Sequence, residues 1–199
     1  MDQEYKGVKF KTEFSAKDFL FDFDSMKRLI MWCTLFNDYK LAPPYDGGSY
    51  GNLSYRVKDS DSFVITGSRI GLKDSLDYQS FVKVNSCDME KGIVYAEGLR
   101  EPSSESMLHS AIYQKRKDVD AVFHGHCKRM LEYADALKIP QTEREEPYGS
   151  RELVESVVKI IDGSDFIMMK NHGFISLGRS QNVAGLAAIY FLEKCNELP

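Results

Sequence analysis

From Ser62 onward the hydrophobic period of the chain changes every few residues, so short strands must interleave with helices. SFVIT (62–66), SFVKV (80–84) and GIVYAE (92–97) are short β-branched and aromatic runs. They are bounded by TGSRIG, NSCDMEKG and GLREPSS, which carry turn chemistry, so the stretch reads as a strand meander. Helical spacing takes over from Ser104 through ESMLHSAIYQKR, with a serine cap and Glu105 in the first turn; a strand returns at VDAVFHGH, and a helix follows from Lys128 to about Leu137. TEREEPYGSRELVESVVKIID reads as one more helix, SDFIMMKN as a strand, GFISLG as its antiparallel neighbour, and SQNVAGLAAIYFLEKCNEL as a closing apolar helix. Upstream, FDSMKRLIMWCTLFNDY places Met26, Leu29, Ile30, Cys33 and Phe36 near helical spacing, LAPPYDGGSYGNLSYR is loop leading into a short strand, and residues 1–20 read as an N-terminal extension or edge segment. Strands and helices interleaved at this spacing predict an α/β sandwich with a largely antiparallel sheet.

The bulk numbers narrow the class. A chain of 199 residues with no linker or repeat is expected to form a single domain over 1–199. Its 26 basic and 30 acidic residues form no cationic stripe, which argues against nucleic acid as a partner. No apolar run approaches the ~20 residues that span a bilayer, and the start lacks a secretory h-region, so a cytoplasmic protein without membrane attachment is expected. Cys33, Cys87, Cys127 and Cys195 make no CxxC pair and read as free thiols.

Chemistry concentrates at AVFHGH. Side chains alternate along a strand, so His124 and His126 share one face while Phe123 and Gly125 take the other. His172, in the turn MKNHGF, is a third candidate, and three histidines with an open position suit a catalytic zinc; a hydrogen-bonded core pair is the competing reading. His109, mid-helix, reads as a residue that packs or bonds locally. In EPSSES (101–106), Ser103 and Ser104 lead into a helix N-terminus that suits an anion, with an ordinary capped start as the alternative. GNLS (51–54) and TGS (66–68) offer Asn, Thr, Ser and Gly groups of the kind that cradle phosphate without lysine.

Taken in order, GNLSYR, ITGS, EPSSE, AVFHGH, PYGSRELVESV and KNHGFISLG resemble the class II aldolase/adducin family, typified by fuculose and rhamnulose phosphate aldolases, from roughly residue 25 to the C-terminus. The resemblance implies an α/β/α sandwich, usually a homotetramer with active sites at subunit interfaces. It implies Zn2+ or another divalent metal on His124, His126 and His172, Glu105 as catalytic carboxylate, and Asn52, Thr66, Gly67, Ser103 and Ser104 on the phosphate of a small sugar phosphate. The activity implied is a zinc-dependent lyase cleaving a ketose phosphate through an enediolate to dihydroxyacetone phosphate, or a similar fragment, plus an aldehyde. Two departures stand out. The stretch LEYADALKIPQTEREE is shorter than the aldolase segment that supplies a tyrosine to a neighbouring subunit, leaving Tyr133 and Tyr148 as candidates, and the chain ends at NELP without a closing tail. A sugar phosphate dehydratase is the nearest alternative; the family's 4-epimerases tend to carry Asp where Glu105 stands, and an adducin-like binding module would lack the metal set.

Overall fold

The computed structural model describes residues 7–71 and 76–199, so residues 1–6 of the expected N-terminal extension lie outside the described part. The elements are β1 (Lys11–Ala16), α1 (Phe23–Asp38), β2 (Pro44–Tyr45), β3 (Gly48–Ser49), β4 (Asn52–Arg56), β5 (Phe63–Thr66), β6 (Phe81–Asp88) and β7 (Ile93–Glu97). They continue with α2 (Ser106–Lys115), β8 (Ala121–Gly125), α3 (Lys128–Tyr133), α4 (Arg151–Ile160), β9 (Phe166–Met169), β10 (Gly173–Gly178) and α5 (Gln181–Asn196). Eight strands form one sheet in the order β1-β7-β6-β5-β4-β8-β10-β9, while β2 and β3 make a separate small ribbon.

Alternation along β8 shows how the layers arise. Phe123 points to one face, where α1 and α5 lie, and meets Phe36 edge-on with ring centroids 5.6 Å apart. Val122 points to the other and joins Leu108, Ile112, Leu153 and Val157 beneath α2 and α4. Helices therefore cover both faces of the sheet, giving an α/β/α sandwich whose central strands are apolar on both sides. Among the described residues no helix is long and apolar enough to cross a membrane.

Three expectations need correction. The sheet is mixed rather than largely antiparallel: β1 runs parallel to β7, with Lys11 opposite Ile93. No hairpin joins these two strands, so turn geometry does not dictate their direction. The helix expected from TEREEPYGS onward begins only at Arg151, because Pro147 and Gly149 (φ 61) interrupt the segment and Ser150 caps it by accepting the Leu153 N–H. The helix from Lys128 stops at Tyr133, with Lys138 in left-handed backbone ending the turn that follows.

Candidate metal centre and substrate pocket

Four segments distant in sequence converge at one end of the sheet. β4 pairs antiparallel with β8 so that Asn52 lies opposite His124, and β10 flanks β8 on its other side with Ile175 opposite His124. The β9–β10 turn puts Asn171 at φ 53, a left-handed conformation that Asn tolerates, and the His172 N–H closes it on the Met169 carbonyl at 3.1 Å. Asn171 Nδ2 donates to Glu145 Oε2 at 3.1 Å, tying the turn to the segment before α4.

Glycines let the backbones come this close. A Cβ on Gly125 would stand 2.9 Å from the Leu41 carbonyl oxygen and press into the Phe174 ring. A Cβ on Gly173 would overlap the Gly125 carbonyl oxygen and lie 2.9 Å from His124 Cε1 and 3.3 Å from His126 Cδ2. Both histidine-bearing strands therefore need glycine beside the imidazoles.

His124, His126 and His172 present ligand atoms that all lie within 4.8 Å of one another. His124 Nδ1 is 2.8 Å from the Phe174 carbonyl oxygen, which can only accept, so Nδ1 carries the proton and Nε2 of the neutral ring offers its lone pair to the cluster. That nitrogen is 3.0 Å from His126 Nε2, and the His126 ring stacks on Tyr50 with centroids 4.8 Å apart. His172 Nδ1 is buried without a hydrogen-bond partner among the described residues. Convergent imidazole nitrogens, one fixed in its tautomer from behind, suit a borderline divalent cation such as zinc better than the harder magnesium or calcium ions, which take oxygen ligands.

Glu105 is not in the first turn of α2 but is its N-cap residue, and its side chain does not cap the helix. The carboxylate turns instead to the histidines: Oε2 is 3.3 Å from His124 Nε2 and accepts from Asn52 Nδ2 at 3.3 Å. Oε1 is 3.2 Å from His172 Nε2, in a geometry that leaves this buried oxygen without a hydrogen bond among the described residues. Burial pushes the Glu105 pKa up, while positive charge at His124 and His172, present when those rings are protonated, pulls the carboxyl below the usual range and prevails. One turn on, His109 is fully buried; its Nδ1 is 2.7 Å from Ser54 Oγ, which is 2.7 Å from the Tyr113 hydroxyl. Burial depresses its pKa to about 3, with Glu105 pulling the other way. Its bonding is therefore across to β4 rather than local.

The metal candidates form one wall of an open pocket. Asn52, Gly67, Ser103 and Ser104 also line it, whereas Thr66 is set back: its hydroxyl accepts the Leu53 N–H and it does not reach the pocket. Gly67 and Ser68 have their N–H groups occupied by the Ser80 and Glu101 carbonyls. Tyr148 lines the pocket, while Tyr133 packs under Arg129 away from it. Ser68, the serine of the TGS run, lines it as well, whereas sequence reasoning passed over Tyr50 and Arg69; Tyr50 directly precedes the GNLS run, and only the β4–β8 register reveals that it meets His126.

The family model described as "Class II Aldolase and Adducin N-terminal domain" matches residues 27–198. The chain belongs to the class II aldolase and adducin family. An L-fuculose phosphate aldolase of Methanococcus maripaludis is 30% identical over 168 residues, covering 77% of this chain and 84% of that protein. The Escherichia coli K12 protein of the same name is 27% identical over 148 residues, 65% of this chain and 63% of its own. A solved structure of an L-fuculose 1-phosphate aldolase superposes with a TM-score of 0.69 at 24% identity, covering 90% and 86% of the two chains, which shows a shared fold. Within this class II aldolase fold, the clustered histidines and Glu105 lie together in the pocket described above.

Proposed function

We propose that this chain is a zinc-dependent lyase that splits a small ketose phosphate into dihydroxyacetone phosphate, or a similar fragment, and an aldehyde. The observation that carries the reading is the convergence of three imidazoles with a buried carboxylate in contact distance of two of them, all lining one open pocket. The aldolase names of the relatives support it. His124, His126 and His172 would hold the ion, which when bound supplies Lewis acidity to polarise the substrate carbonyl and stabilise developing enediolate charge.

The protein's own groups do the rest. Glu105, held ionised across neutral pH, is placed to accept and return a proton beside the reacting carbons. Asn52 steadies one carboxylate oxygen, and its own buried Oδ1, unpaired among the described residues, is free to accept a substrate hydroxyl. Ser103 and Ser104 hold the phosphate, with Gly67 shaping that wall and Thr66 supporting it through the Leu53 amide. Tyr148, which lines the pocket together with Tyr45 and Tyr50, is the candidate to protonate the departing fragment. A homotetramer remains part of the proposal: Val183, Leu186 and Tyr190 leave an apolar stripe exposed on α5. The test is cleavage of a panel of ketose 1-phosphates by the zinc-loaded protein, with His124→Ala as control. Full cleavage by a metal-free His124→Ala protein would refute the assignment.

A further inference from the structure

Arg69 stands at φ 53, in the left-handed region where glycine or asparagine is expected and a long charged residue is strained. It lines the pocket, its side chain is exposed, and among the described residues its guanidinium makes no hydrogen bond or ion pair. Of the described residues lining that pocket it is the sole Lys or Arg, and Glu105 is the sole carboxylate. Ser49 Oγ donates to the Gly71 carbonyl at 3.0 Å and the Gly67 and Ser68 amides are occupied, while Ser103 Oγ, which accepts the Glu105 N–H at 3.5 Å, keeps its own proton to donate. Much of the neutral donor capacity on this wall is thus already committed. A phosphomonoester carries close to two negative charges at neutral pH. Entering a pocket that already holds an ionised carboxylate, it needs a compensating cation on the phosphate side, where a guanidinium also matches the oxygens with a planar fork.

We propose that Arg69 recognises the phosphate group of the substrate, and that its left-handed backbone persists because that position aims the guanidinium into the pocket. The inference rests on the sugar phosphate reading above and adds to it a residue outside the phosphate set expected from sequence. Backbone strain gives it a distinctive test, because Arg69→Gly removes the cation while relaxing the backbone. Relief of the left-handed conformation offsets glycine's greater chain entropy, so the variant is expected to melt no lower than wild type.

The experiment is calorimetric titration of the zinc-loaded protein with sn-glycerol 3-phosphate. Arg69→Gly should weaken binding by about tenfold to a hundredfold, the range of one charge-assisted pair, and Arg69→Lys should recover part of the loss. Arg100→Gln is the control: Arg100 packs its aliphatic stem near Gly67, is exposed, and does not line the pocket, so the charge change there should leave affinity intact. Wild-type affinity in Arg69→Gly, or an equal loss in Arg100→Gln, would overturn the assignment of Arg69 while the phosphate pocket stood. No binding of glycerol phosphate to the wild-type protein would overturn both.

Discussion

Replacing Gly173 with alanine tests whether the close approach of β8 and β10 holds the histidines in place. The added methyl would overlap the Gly125 carbonyl oxygen, and it would sit 2.9 Å from His124 Cε1, inside the limit real Cβ atoms respect. Both obstacles are constrained: Gly125 is paired with Phe174 in the β8–β10 ladder, and His124 is anchored through Nδ1 to the Phe174 carbonyl. Relief therefore means opening the end of the ladder by several tenths of an ångström, which moves both His124 and His126. Overpacking of this kind costs about 1–3 kcal/mol, and disturbing the group that orients a metal ligand costs about tenfold to a hundredfold in metal affinity. Urea denaturation would read the first effect and competitive titration with a chelating dye the second. Gly71→Ala is the control, since nothing among the described residues lies within 4 Å of its built Cβ. Wild-type zinc affinity in Gly173→Ala would refute the argument that this glycine shapes the site.

Two further predictions concern the support of the centre. His109 falls to about 3 from its ordinary 6.5, so between those values the unfolded chain binds a proton that the folded one refuses; its neutral form contributes stability above pH 6.5 that is lost as pH falls. In metal-free protein the stability deficit of His109→Gln relative to wild type should therefore shrink by about 1.4 kcal/mol per pH unit below 6.5, and a deficit that does not change between pH 7 and 5 would contradict the buried neutral histidine. Tyr50→Ala removes the ring stacked on His126 and should weaken zinc binding severalfold, with Tyr50→Leu recovering part of it by packing alone; unchanged dissociation constants would show that the stack does not hold the ligand.

Much of this arrangement is local enough to be read from the chain. The HxH alternation puts Phe123 in the aromatic core and His124 in the cluster because strand periodicity needs no partner to be known. His172 falls in a turn because Asn171 and Gly173 separate two apolar runs. What escaped depends on contacts between distant segments. Asn52 meets Glu105, and Tyr50 meets His126, only because β4 lies beside β8, and nothing local sets that neighbour. The parallel pairing of β1 escaped for the same reason. Arg69 carried no signal at all, since its backbone angle is imposed by the loop rather than favoured by the residue.

The central claim is that three histidines hold one catalytic metal. Metal content per chain, measured by inductively coupled plasma mass spectrometry on untagged protein after zinc loading and desalting, tests it most directly beside His124→Ala, His126→Ala and His172→Ala proteins of unchanged circular dichroism. The account predicts close to one zinc per wild-type chain and loss of most of it in each variant. A wild-type chain that retains no metal, or variants that keep theirs, would contradict it.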